Sequence, residues 1–402
     1  MWLADQDARH ESARTERAAK LLAHFDFSGR LGPNNYASVS LAQQTKFQED
    51  FREQLEAVVA RLSTYKDRDS NAWLSPDDLL PPRPARGPYQ PGADLRVFVS
   101  EAYRKSRALV PAWLGQRGWM EFPAHRVVAG EAGIAHELVH VLFPNGNRML
   151  AEGLAIYLQN KLFPAIPVFP NFACPMEALV ADFLRTRYPS SPSHALWNMD
   201  LDALEKISTP DKLRLRIGTN VMGGTAFDLA SPPDEEKAIY AIVGALVEFL
   251  LENPIGDDLL SESNFGSLYN ATPLRPLERD SGIPDRWQRC YQGNGRSYSF
   301  TELGLLWKTY MHFILFRGTS AEFATPIPED FAQISAVANL CEKLDHMVGR
   351  QAAPEPRANK RKTKFKARSA SDSRRWPEGV RKKSGSNARR GGRLAALVAQ
   401  RQ

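Results

Sequence analysis

The apolar residues of segment 38–65 recur at intervals of three or four, which predicts a long helix with one apolar face. Three later segments alternate between apolar and polar residues, which is typical of short strands. They are residues 94–100 (DLRVFVS), 118–122 (GWMEF) and 125–130 (HRVVAG). The chain is therefore predicted to open with a helical segment and to continue into a small sheet.

From residue 131 onward the apolar period lies between three and four, and helices are predicted to dominate the rest of the chain. A few strands followed by many helices predict the α+β fold class, with a small mixed sheet. The helices are predicted at roughly 131–143, 148–162, 174–187, 235–252, 300–316 and 328–350.

Composition divides the chain into segments. Residues 67–94 contain six prolines, which is typical of an extended linker between a helical segment at 1–66 and a main domain at 95–350. After residue 350 the apolar pattern fades. Residues 351–402 are predicted to be a disordered tail, because so few apolar residues cannot offset the entropy lost on folding.

The net charge of +6 averages two unlike regions. Residues 354–402 contain 16 Lys or Arg and three Asp or Glu, so they carry +13, and residues 1–353 carry −7. A basic tail of this kind attracts polyanions by releasing their counterions. Nucleic acid and an anionic membrane surface are both candidate partners. The third alternative is a solvated tail that binds only incidentally.

Targeting and membrane signals are not recognised in the sequence. The first residues are charged from Asp5 onward and lack the apolar core of a secretory signal. The longest apolar stretch, 238–247, is too short to cross a bilayer. Three widely spaced cysteines argue against a disulfide framework and for a reducing compartment. We therefore expect a cytoplasmic protein with no transmembrane segment.

The segment AHELVHVLFPNGNRMLAEGLAIY, residues 135–157, carries the chemistry of interest. His136 and His140 are four residues apart, about 6 Å along a helix, so both imidazoles lie on one face and can share an ion. Glu137 reaches the same side without being needed as a ligand. This is the His-Glu-x-x-His pattern of zinc hydrolases, with two ligands and a general base. The alternative is an ordinary helical hairpin that carries the pattern by chance.

A catalytic zinc ion needs a third protein ligand and one open position. The metzincin spacing would require glycine at position 143 and histidine at 146, but the chain has Phe143 and Gly146, which excludes that subclass. Residues 143–147 form a short turn between two helices, so Glu152 on the second helix can return to the histidine face. Gly153, which has no side chain, permits a close helix approach at this point.

With these residues the chain resembles the gluzincin-type metallopeptidases of the MA clan, in particular the bacterial peptidase MA-like proteins. The stretches that carry the resemblance are AHELVHVLF and RMLAEGLAIYL. The resemblance implies a zincin-like domain and one bound Zn²⁺ ion. It also implies that His136, His140 and Glu152 are the zinc ligands and that Glu137 is the catalytic base.

The resemblance extends to residues 238–260, which are similar to a later helix of that family with a Tyr-x-x-x-Gly pattern. Tyr240 in this helix is a candidate donor to the oxyanion of a tetrahedral intermediate. The alternative is a core tyrosine bonded to a backbone carbonyl. His194 in a loop and His312 in an apolar helix are weaker candidates for the same role. Met149 stands where the family has an aromatic residue, which affects packing only.

The predicted function is that of a zinc-dependent peptidase, which hydrolyses peptide bonds with a metal-activated water and a glutamate base. Endopeptidase activity is the default, because no motif for a substrate's terminal amine is recognised. The strand predicted at 125–130 could pair with an extended peptide or protein substrate. Two alternatives remain: a catalytically silent zincin-fold scaffold, and a nucleic-acid-associated protein that acts through its basic tail.

Deletion of residues 354–402 is expected to leave the melting temperature and the metal content unchanged and to abolish retention on DNA or heparin at low salt. The tail supplies the attraction to polyanions, while its composition keeps it from packing on the fold. Thermal denaturation, elemental analysis and salt-gradient chromatography measure these properties. A truncated protein that unfolds or loses its metal would show that the tail packs on the main domain.

Overall fold

The computed structural model describes residues 16, 18–27, 38–62, 64–65, 95–101, 106–109, 119–166, 176–205, 216–217, 233–272, 283–316, 328–329 and 334–352. Contacts between Cα atoms divide the chain into two units, Met1–Ala352 and Ala353–Gln402, and every described residue belongs to the first. The proline-rich segment 67–94 and the basic tail 354–402 lie outside the described residues, so the linker and the disordered tail stay predictions.

Helices dominate the described residues, and a small mixed sheet accompanies them, which confirms the α+β class. The strands are β1 (Phe25–Asp26), β2 (Leu95–Ser100), β3 (Arg107–Leu109), β4 (Trp119–Pro123), β5 (Met199–Asp200), β6 (Arg216–Ile217), β7 (Gln292–Gly293) and β8 (Arg296–Ser297). The helices are α1 (Leu41–Leu62), α2 (Ala124–Ala129), α3 (Ile134–Leu142), α4 (Arg148–Leu162), α5 (Met176–Arg187), α6 (Pro192–Trp197), α7 (Leu201–Glu205), α8 (Pro233–Glu252), α9 (Glu262–Ala271), α10 (Ile283–Cys290), α11 (Phe300–Phe316) and α12 (Ser335–Ala352).

The helices predicted from apolar periodicity are confirmed. Helices α4 and α11 have the predicted ends, and α1, α3, α5 and α8 begin and end within a few residues of them. Helix α12 begins at Ser335, later than predicted; residue 334 forms a bend, and residues 330–333 lie outside the described residues. Among the described residues, no helix combines the length and the apolar composition that crossing a membrane requires.

The strand predicted at 125–130 is wrong, because this segment forms helix α2 directly after β4. Ala124 and Val127 are buried and three residues apart, while Val128 is 45% exposed, so the true period is helical. Gly130 ends the helix with φ of 69°, a left-handed conformation that glycine adopts without steric penalty. In so short a segment, two adjacent valines fit either period.

The four-stranded sheet has the order β1-β2-β4-β3, in which β1, β2 and β4 are parallel and β3 is antiparallel to β4. Val97 and Val99 of β2 and Met120 and Phe122 of β4 belong to the hydrophobic core. The Phe122 ring lies 5.3 Å from the ring of Phe47 on α1, in an edge-to-face arrangement. Helix α1 also contacts α3, so the sheet and these two helices share one core.

Helices α4 and α8 approach each other closely at two glycines. A Cβ atom on Gly153 would lie 2.5 Å from Cγ2 of Val247 and 2.7 Å from the carbonyl oxygen of Val243. A Cβ atom on Gly244 would lie 2.5 Å from Cγ2 of Ile156. Gly153 therefore permits a close helix approach, and the neighbouring helix is α8. This approach fixes the backbone of α4 one residue after the candidate third ligand.

Gly153→Ala is expected to lower the free energy of unfolding by about 1–3 kcal/mol, the usual effect of an added methyl group in a close-packed core. The added Cβ meets a backbone carbonyl oxygen, which can move only if α8 shifts. Alanine is favoured over glycine within a helix by about 1 kcal/mol. The loss of stability measured by urea denaturation is therefore smaller than the energy cost of the steric clash itself.

Gly304→Ala on α11 is the matched control, because its Cβ would meet only the side chain of Leu201, with the flexible tip at 3.1 Å. At that position the helix preference of alanine is expected to leave stability unchanged or raised. If the Gly153→Ala protein were as stable as the Gly304→Ala protein, the close approach of α4 and α8 would be wrong.

Candidate metal centre

A tight helical hairpin, formed by α3, the turn 143–147 and α4, builds the candidate site. Phe143 lies at the C-terminal cap of α3, and Asn147 caps the start of α4, where its Oδ1 accepts a hydrogen bond from the N–H of Leu150 (3.1 Å). Oδ1 of Asn145 accepts from the N–H of Asn147 (2.8 Å). The polar turn thus ends one helix and begins the next.

Neighbouring helices hold this turn in place. Tyr269 of α9 is buried and donates its hydroxyl hydrogen to the carbonyl of Phe143 (2.8 Å), while Nδ2 of Asn145 donates to the carbonyl of Tyr269 (3.1 Å). Nδ2 of Asn147 donates to the carbonyl of Glu205 on α7 (3.1 Å). These partners are separated by 58 to 126 positions in the chain, so no local sequence pattern indicates them.

The hairpin brings together His136, His140 and Glu152, three of the site residues named from the sequence. The Nε2 atoms of the two histidines are 3.1 Å apart. Oε2 of Glu152 lies 3.4 Å from Nε2 of His136 and 3.2 Å from Nε2 of His140. The side chains of His136, His140 and Glu152 are 8%, 11% and 4% exposed, so all three are largely shielded from solvent.

The size of this triangle fits a metal ion. Ligand atoms about 2.0–2.2 Å from a tetrahedral zinc ion lie about 3.3–3.6 Å from one another, and the three observed distances are close to that range. Two imidazole nitrogens and one carboxylate oxygen are also a donor set that catalytic zinc sites use. His136, His140 and Glu152 could therefore hold such an ion, with a fourth position left over.

Glu137 is buried beside the triangle. Ligand-capable atoms of Glu137, His136 and His140 all lie within 4.8 Å of one another. Burial raises the pKa of Glu137 to about 7, against the opposing effect of His136. Two carboxylates thus lie near the histidines, and the contacts of 3.2 and 3.4 Å to both nitrogens favour Glu152 as the ligand. Glu137 is left for another role.

Glu152 is held as a carboxylate by its surroundings. Its Oε1 atom accepts a hydrogen bond from Nη2 of Arg148 at 2.5 Å. Burial alone would raise the pKa of Glu152, but His140, His136 and Arg148 together lower it well below its usual range. The ionised form is the one that can bind a cation.

Two glutamine side chains accept hydrogen bonds from backbone N–H groups in the first turn of α3. Oε1 of Gln54 on α1 accepts a hydrogen bond from the N–H of Ala135 (2.8 Å), and Oε1 of Gln159 on α4 accepts from the N–H of His136 (3.1 Å). Both glutamines are buried, and the cap residue of α3 makes no side-chain hydrogen bond. The two amides therefore take the place of an ordinary helix cap. Sequence reasoning missed both, since each lies on another helix.

The remaining candidates lie on other helices. Tyr240 on α8 is half-buried and packs against the hydrophobic core, and its role as an oxyanion donor stays a prediction. His312 on α11 packs among aromatic rings, 5.3 Å from Trp197 and 5.7 Å from Phe316 between ring centroids. His194 lies within helix α6, so the loop expected around it is wrong.

Comparison with known proteins supplies no relative for this chain. No protein-family model, no curated protein and no solved structure matches it. The resemblance to gluzincin metallopeptidases therefore rests on the quoted residues alone, and the function has to be argued from the site.

Gln159→Leu is expected to lower the free energy of unfolding of the metal-free protein by about 1–3 kcal/mol. The substitution leaves the N–H of His136 buried without its acceptor, and water cannot easily replace it. Urea denaturation in the presence of a chelator measures the loss without a contribution from bound metal.

Gln43→Leu is the matched control. Oε1 of Gln43 also accepts a hydrogen bond at the start of a helix, from the N–H of Ser40 (2.9 Å), but this bond is exposed to solvent. Water can replace the acceptor there, so a smaller loss is expected. Equal losses for the two variants would mean that burial of the first turn of α3 does not explain the effect of Gln159.

Proposed function

We propose that this chain is a zinc-dependent peptidase of the gluzincin type, which hydrolyses peptide bonds in peptide or protein substrates. The observation that carries the proposal is the triangle of His136 Nε2, His140 Nε2 and Glu152 Oε2, with edges of 3.1–3.4 Å, beside the buried carboxylate of Glu137. Burying these four groups together would not stabilise an ordinary hairpin, because buried ionisable groups lower stability unless they are paired.

The four residues have distinct roles in this proposal. His136, His140 and Glu152 hold the ion, which when bound supplies Lewis-acid activation of water and of the substrate carbonyl. Glu137 accepts the proton that the attacking water loses and delivers it to the leaving amine. Its place beside His136 on α3 keeps its carboxylate next to the reacting groups. Tyr240 donates to the oxyanion, a role that rests on the resemblance alone.

The proposed fold is zincin-like, a finer assignment than the α+β class. In the part of the sheet that the structure describes, β3 is an end strand, pairs antiparallel with β4 and contacts α3. An extended peptide can add to a sheet edge of this kind through backbone hydrogen bonds. Since residues 125–130 are helical, β3 replaces them as the proposed docking strand for the substrate.

The buried Glu137 also weighs against a catalytically silent scaffold, because metal binding alone requires only the three ligands. Binding of nucleic acid or of an anionic surface through residues 354–402 is compatible with peptidase activity, since the tail and the hairpin are separate segments. A cytoplasmic location is part of the same proposal, on the sequence grounds given above.

The purified protein is expected to contain about one zinc ion per chain, and Glu137→Gln is expected to retain zinc while losing cleavage of fluorescently labelled casein. The amide keeps the size of the side chain but cannot accept the proton from water. A general base typically contributes a factor on the order of 100 to 10,000 in rate. Elemental analysis and the fluorescence assay measure the two properties.

His140→Ala is the comparison variant and is expected to lose both zinc and activity. Loss of zinc in Glu137→Gln would make Glu137 a ligand, and full activity in that variant would show that another group is the base. A wild-type protein that binds zinc and cleaves no protein substrate would favour the silent scaffold.

A further inference from the structure

Arg148 is the first residue of α4, a position where local helix energetics disfavour a cation. The N-terminus of a helix is the positive end of its dipole, and the first turn of α4 contains no acidic residue. An arginine four residues before a glutamate is also the weaker order for an ion pair along a helix. Arg148 therefore goes against two helix preferences, the one for charge at the N-terminus and the one for ion-pair order, which points to a role beyond the stability of the helix.

The two oxygens of Glu152 have different partners. Oε1 accepts a hydrogen bond from Nη2 of Arg148 at 2.5 Å. Oε2 lies 3.4 Å from Nε2 of His136 and 3.2 Å from Nε2 of His140. The Glu152 side chain is only 4% exposed, so bulk water does not compete for either oxygen. Arg148 therefore occupies the oxygen that does not face the histidines.

We propose that Arg148 is a positioning residue that restricts Glu152 to binding the metal ion through one oxygen; the inference rests on the proposed zinc site. A carboxylate can bind a cation through one oxygen or through both. Before Oε1 could reach the ion, it would have to leave a charge-assisted hydrogen bond in a buried place. Arg148 thereby keeps the ligand set at three atoms and leaves one position open for water or substrate.

A stabilising role and a positioning role of Arg148 can be told apart, because they affect different measured properties. An Arg–Glu pair that only stabilises α4 affects the melting temperature and leaves the coordination of a bound ion as it is. A pair that orients the ligand affects the coordination itself. Cobalt reports this difference, because four-coordinate Co²⁺ absorbs visible light much more strongly than five- or six-coordinate Co²⁺.

The test compares cobalt-loaded full-length wild type with Arg148→Met and Arg148→Ala. In both variants Oε1 is released, so the visible absorption per bound cobalt is expected to fall severalfold. Zinc affinity, measured by competition with a chelator, is expected to weaken by about 10- to 100-fold, the usual effect of losing a group that orients a ligand. Arg148→Lys can still donate a charged hydrogen bond and is expected to restore most of the absorption.

Arg52→Met is the matched control, because Arg52 and Glu56 form a pair of the same order and spacing on the surface of α1, with 3.0 Å between Nε and Oε1. This variant is expected to keep the wild-type spectrum and zinc affinity. An unchanged cobalt spectrum in both Arg148 variants, with melting temperatures that show them folded, would overturn the inference whatever the affinity does. A wild-type protein that binds neither cobalt nor zinc would instead overturn the metal site itself.

Discussion

Two carboxylates buried close together, those of Glu137 and Glu152, impose the constraint on which the rest of the hairpin depends. An ionised carboxylate inside a protein lowers stability unless opposite charges and hydrogen-bond donors compensate it. Around Glu152 two imidazoles and Arg148 supply this compensation. Around Glu137 it is incomplete, and a pKa raised to about 7 is the result. A divalent cation at the histidines would supply the positive charge that Glu137 lacks.

Such a site works only if its donor atoms are held within about 0.5 Å of the geometry that binds the ion. The surrounding contacts act mainly on the backbone that carries these atoms. Gly153 lets α8 lie directly against α4, Gln54 and Gln159 bind the first turn of α3, and Tyr269 holds the turn between the helices. Arg148 differs from these residues, because it contacts a ligand oxygen directly.

Features that depend on residues close together in the chain were predictable from the sequence, whereas contacts between distant residues were not. The long helices were predictable, because many apolar positions repeat with one period, whereas the short segment 125–130 fitted both a strand and a helix. The proximity of His136, Glu137, His140 and Glu152 was predictable from local spacing, while their roles stay a proposal. Gln54 and Gln159 were not, since they lie 81 and 23 positions from their partners. The contact between Arg148 and Glu152 was not predictable for another reason. An arginine four residues before a glutamate also occurs on the surface of α1, so this spacing alone does not distinguish a contact to a proposed ligand from an ordinary surface ion pair.

Departures from ordinary helix and core rules meet in this hairpin. A cation at the start of α4, a glycine in the middle of the same helix, and two buried carboxylates each lower stability when taken alone. The close contact with α8 accounts for Gly153. Apolar residues in place of the buried charged groups would often stabilise the fold as well or better, so stability does not account for those groups. The proposed metal site would account for them, because a binding site needs charge held ready before its ligand arrives. Three ligands would serve a scaffold that only binds metal. Glu137 adds a buried charge without adding a ligand, and this extra carboxylate is what favours hydrolysis over metal binding alone.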